Sequence, residues 1–141
     1  MFEKILVAFD GSEPSHKAFN YGLELMKRCS VGKPEIVVIS VVQPPEPVEM
    51  VELDAIIDSG TQHYSDLFRE LENRAIAQQI AVTTEVLVGH PADQIIRYAK
   101  ENGIDTILVG QTGKSKIESW LLGSVSKRIA SYSHCTMIIV K

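Results

Sequence analysis

Ile5-Leu6-Val7-Ala8-Phe9-Asp10-Gly11-Ser12 is the stretch whose reading decides the fold. Its first five residues are all apolar and two of them, Ile5 and Val7, are β-branched. A run with no polar face fits a strand covered on both sides, as in a parallel sheet. Asp10-Gly11-Ser12 ends the run with turn chemistry. Ser12 is a suitable N-cap, and Pro14 follows where the first helical turn tolerates a missing N–H. Ala18, Gly22, Leu25 and Cys29 then recur at spacings of four, three and four, which predicts one face of a helix.

The alternation continues outward from that unit. Residues 36–42 form a second apolar, β-branched strand, ended by Pro44, Pro45 and Pro47. A long helical pattern covers about 51–79, with Leu53, Ile57, Tyr64, Phe68, Leu71 and Ala75 as its inner stripe and Gly60 as a weak point. Residues 81–88 alternate more loosely, as an edge strand does. Pro91 opens a third helix with Ile95, Ile96 and Ala99 inward, and Gly103 suits a left-handed cap at its end. A strand at 105–109, a polar glycine-containing stretch at 110–122, a helix at 124–133 (Val125, Ile129 and Tyr132 inward) and a strand at 137–140 complete the chain. Strands and helices alternate throughout. That predicts an α/β fold with a parallel sheet and helices on both faces, in one domain spanning 1–141.

Bulk properties narrow the function classes. The chain has 141 residues, 45% of them hydrophobic and 23% charged, with a net charge of −4. One globular core is expected, and nucleic-acid binding driven by overall charge is disfavoured. No apolar run reaches the roughly 18–20 residues that span a bilayer, and the opening residues lack the pattern of a signal peptide, so no membrane partner and a cytoplasmic location are expected. Cys29 and Cys135 lie far apart without CxxC spacing and read as buried free thiols. His16, His63, His90 and His134 show no metal-ligand spacing.

Open parallel sheets bind ligands beyond the carboxyl ends of their strands, where strand order reverses. The order itself is not written in local pattern. With order 3-2-1-4-5 the reversal falls between the first and fourth strands, which places Asp10-Gly11-Ser12 beside Gly110-Gln111-Thr112-Gly113. Gly110 and Gly113 leave backbone bare, and Gly123-Ser124 opens a helix whose free N–H groups suit phosphate oxygens. Ser124 and Ser126 add hydroxyls, and Lys114 and Lys116 add positive charge. Gly113-Lys114-Ser115 looks like the end of a Walker P-loop, but that motif needs a glycine where Leu108 stands, so a P-loop reading fails.

Gly110-x2-Gly113-x9-Gly123-Ser124 resembles the nucleotide-binding signature of the universal stress protein family, in its ATP-binding branch. The opening residues 5–12, Leu122-Gly123-Ser124-Val125-Ser126 and the closing residues 135–140 are similar to that family's first strand, signature end and last strand. The resemblance implies a Rossmann-like three-layer sandwich with a five-stranded parallel sheet of order 3-2-1-4-5. It implies a homodimer paired through the last strand. It also implies that ATP, or AMP or another adenine nucleotide, is bound, with Mg²⁺ neutralising a triphosphate. By the same resemblance Asp10 would contact the nucleoside and Val41 would flank adenine. Ala8 and Val109 would line base or ribose, and Gly110, Gly113, Gly123, Ser124 and Val125 would hold ribose and phosphates. A binding or signalling module with at most slow ATP hydrolysis is expected. The alternatives are a genuine ATPase on the same site and a nucleotide-free dimeric scaffold.

Overall fold

The computed structural model describes residues 2–29, 32–111 and 123–141. Among them the order is β1 (Lys4–Ala8), α1 (Glu13–Cys29), β2 (Glu35–Val42), α2 (Met50–Ala77), β3 (Ala81–Val88), α3 (Pro91–Glu101), β4 (Thr106–Gly110), α4 (Ser124–Tyr132) and β5 (Thr136–Val140). The strands form one parallel sheet in the order β3-β2-β1-β4-β5. The chain steps outward from β1 to β3, then returns past β1 to β4. Right-handed crossovers require that reversal to move the helices to the opposite face.

The core shows this. Ile5, Val7, Ile36, Val38 and Leu108 pack with Phe19, Leu23 and Met26 of α1 and Phe68, Leu71 and Ala75 of α2. Leu6, Val37, Ile39, Ile107 and Val109 point the other way, onto Ala92, Ile95 and Ala99 of α3 and Ile129 of α4. Alternate residues of β1, β2 and β4 thus serve different layers, so these strands have no polar face. β3 lies at an edge, as its looser pattern predicts.

Several local expectations shift. The buried stripe of α1 is Ser15, Ala18, Phe19, Gly22, Leu23 and Met26. Leu25 is only part-buried and Cys29 is exposed, so Cys29 is not the buried thiol expected, while Cys135 is part-buried with its Sγ 3.1 Å from the Ile104 carbonyl oxygen. Tyr132 is exposed, under the Arg128 guanidinium at 5.3 Å, and not inward. α2 runs unbroken through Gly60, where a Cβ would stand 2.6 Å from Val42 Cγ2. The glycine lets the helix close on the end of β2.

Asp105 ties the lower end of the sheet together. Its Oδ2 accepts the Glu3 and Lys4 N–H groups at 2.9 Å each, and its Oδ1 accepts the buried Thr106 hydroxyl at 2.8 Å. Its own N–H donates to Lys4 O and its carbonyl accepts Thr136 N. Asp105→Ala removes the side-chain acceptor of three donors and should cost about 2 kcal/mol. Thermal denaturation checks this, and an unchanged midpoint would refute it.

Candidate functional site at the strand-order reversal

β1 and β4 are neighbours whose onward connections run to opposite sides, and a cleft of about 200 Å³ opens above their carboxyl ends. The buried Ser40 hydroxyl donates to Phe9 O at 2.7 Å, and Phe9 N donates to Ile39 O at 2.9 Å. The chain is therefore held to β2 up to Phe9, and the turn begins at Asp10. Asp10 Oδ1 accepts Ser12 N at 2.9 Å across Gly11, whose φ of +85° favours glycine. Ser12 Oγ then accepts Ser15 N at 3.3 Å, the N-cap bond expected of it.

Asp10 is an exposed carboxylate at this turn. Burial of part of its environment pushes its pKa up, but hydrogen bonds from the Ser12 hydroxyl and N–H and from the Ser15 hydroxyl outweigh that and hold it below the ordinary value. It stays ionised at neutral pH, as an acceptor only.

Three helices begin around the cleft. Ser12 and Ser15 line it from the head of α1, Pro91 and Ile95 from α3, and Val125 and Ser126 from α4. Helix starts carry unpaired N–H groups and partial positive charge. Arg128 Nε donates to Asp93 Oδ1 at 2.6 Å, which ties α4 to the first turn of α3. The lining combines apolar Ile39, Val41, Ile95 and Val109 with polar Asp10, Ser12, Ser15 and Ser126.

Of the residues singled out by sequence, Ala8, Asp10, Val41, Val109, Gly110 and Val125 line the cleft. Gly123 and Ser124 lie at the head of α4, just before the lining residues Val125 and Ser126, and Gly123 O accepts Lys127 N at 2.9 Å. Gly113, with Lys114, Lys116 and Trp120, lies outside the described residues. Gly110 has a structural reason beyond ligand approach: a Cβ there would stand 2.2 Å from Pro14 O. The start of α1 is packed on bare backbone.

The sequence places Tyr64 in the inner stripe of α2, yet it lines the cleft, with its ring stacked on Phe68 at 6.4 Å. Burial, then the charge of Asp10, push its phenol above the ordinary value, so it remains a neutral hydroxyl. Phe9 lines the same space, held edge-on to His16 at 5.0 Å, and His16 Nδ1 meets Arg74 at 2.9 Å. No local sequence signal marks either aromatic, because whether a ring faces core or cleft depends on where the sheet ends.

Among known families, residues 1–141 match the one described as the universal stress protein family. The chain is 31% identical to the universal stress protein YxiE of Bacillus subtilis (strain 168) over 152 residues, covering all of both chains. It is 28% identical to the universal stress protein MJ0531 of Methanocaldococcus jannaschii, covering all of this chain and 83% of that one. Its fold is similar to that of the universal stress protein UspA from Lactobacillus plantarum, with a TM-score of 0.85 at 22% identity over 99% of this chain and 98% of that one. It is also similar to a universal stress protein crystallised in complex with cAMP, with a TM-score of 0.75 at 25% identity over 99% and 97% of the two chains.

Proposed function

The chain belongs to the universal stress protein family, and from that premise we propose that it binds an adenine nucleotide, ATP foremost, in the cleft between β1 and β4. The observation that carries this is one cleft lined by apolar side chains, an ionised acceptor and the starts of three helices. A flat base suits the apolar lining supplied by Ile39, Val41 and Val109. Ribose hydroxyls are donors and suit the Asp10 carboxylate. Phosphates are repelled by Asp10 and suit the head of α4, where Gly123, Ser124 and Ser126 supply N–H and hydroxyl groups and Gly113 extends the same signature. The cleft is smaller than the roughly 300–1,000 Å³ of a typical ligand pocket, so it holds the nucleoside with the phosphates at its open rim. The related protein crystallised with cAMP supports the adenine class.

Among the described residues no group of three His, Cys, Asp or Glu is placed to hold a metal ion. Mg²⁺ would ride on the phosphates and supply charge neutralisation there.

The protein acts as a binding or signalling module, with hydrolysis slow at most. Asp10 is the one ionisable Asp, Glu, Lys, Arg or His among the described lining residues, and it already caps a turn. The partner is a second copy, added at β5, which is an edge strand among the described residues and whose Met137, Ile138, Ile139 and Val140 are only part-buried. Sedimentation should show a dimer at micromolar concentration, and a monomer throughout would refute that arrangement.

Calorimetry with ATP, AMP and cAMP tests the nucleotide reading, with dissociation constants below about 1 mM expected. No binding by any of the three would favour the nucleotide-free scaffold. Rapid phosphate release from excess Mg-ATP that follows the protein through purification would favour the ATPase.

A further inference from the structure

A second cleft, of about 600 Å³, adjoins the first. Val42 closes it at the end of β2 and Ala55, Ile56, Ser59 and His63 line it from α2. Val41 and Tyr64 belong to the walls of both clefts, so the two spaces meet at those side chains.

Its origin lies in the length of α2. β2 ends at Val42, and the first half of α2 extends over that end with no fully buried residue before Phe68. Gly60 seats the helix on Val42, and Ala55 and Ile56 then face the cleft. Apolar surface is left next to Val41 and Tyr64 of the proposed nucleotide site. The Tyr64 ring, flanked by His63 at 5.2 Å and stacked on Phe68, supplies an aromatic wall.

Charge decides what can enter. No lysine or arginine occurs between Lys33 and Arg69, whereas Glu46, Glu49, Glu52, Asp54 and Asp58 do. A phosphate or other anion is disfavoured on this side. We propose that the second cleft takes an uncharged, mainly apolar ring or alkyl group carried on the base of the bound nucleotide. The ligand class is then a base-substituted adenine nucleotide. This rests on the nucleotide reading above, and it places the neutral end of the ligand beneath α2 and the anionic end at the head of α4.

Calorimetry on the full chain with ATP and N6-benzyl-ATP tests it, using wild type, Ser59→Phe and Ala55→Phe. Ser59 and Ala55 touch the second cleft and not the first, so a phenyl ring at either position fills only that space. Both are exposed, and melting curves confirm that the variants fold. Wild type should bind N6-benzyl-ATP about tenfold more tightly than ATP. Each variant should keep its ATP affinity and lose that gain. A benzyl derivative that binds no better than ATP, or a gain that survives in both variants, overturns the proposal while leaving the nucleotide reading intact. Wild type that binds neither compound overturns both.

Discussion

Alanine at Gly110 is expected to lower stability by about 3 kcal/mol, a fall of roughly 10 °C in melting temperature for a chain of this size. The new Cβ would stand 2.2 Å from Pro14 O and 2.3 Å from Pro14 C. Both are main-chain atoms of α1's first turn, which cannot rotate away as a side chain can. The Ser12–Ser15 capping bonds hold that turn in place. Gly103→Ala is the control. It has open space around it but a φ of +67°, so it should cost only about 1 kcal/mol. Chemical denaturation of the two variants measures the difference. A Gly110→Ala protein as stable as Gly103→Ala would refute the close approach of α1 and β4.

Loss of the Asp10 charge is expected to weaken ATP and adenosine binding alike, by roughly ten- to a hundredfold. The proposed contact is to ribose hydroxyls, which both ligands carry. Asp10→Asn is the cleaner variant, because an amide oxygen can still accept Ser12 N and keep the turn. A loss confined to ATP would contradict the placement. The same variant has a pH signature. The Asp10 pKa is depressed in the folded state, so its contribution is present above the unfolded value and disappears as pH falls through the folded one. Acid titration of stability should show that limb in wild type and not in Asp10→Asn.

The strands were legible because continuous runs such as residues 36–42 have one physical explanation, burial on both faces. The strand order came from resemblance alone. It depends on which helices share a face, and no single segment encodes that. The stripe of α1 holds at Ala18 and Gly22 but drifts to Leu25 and Cys29, because spacing alone does not choose between these and the adjacent Phe19, Leu23 and Met26 that the sheet covers. The lining of the candidate cleft was legible where aspartate and glycine mark turns, at Asp10 and Gly110, whereas Val125 came from the resemblance. It was not legible at Tyr64, whose position on a long amphipathic helix reads as core until the end of β2 is known. Gly60 shows the same limit. A glycine inside a helix suggests weakness, and only the Val42 contact reveals its use.

The carboxylate of Asp105 fastens β1 at the end of the sheet farthest from the cleft, and its main chain reaches β5 there as well. Fixing the floor in this way leaves the roof chemically uncommitted. Under the proposed reading, substitutions on the first half of α2 retune which molecule is recognised without disturbing that foundation.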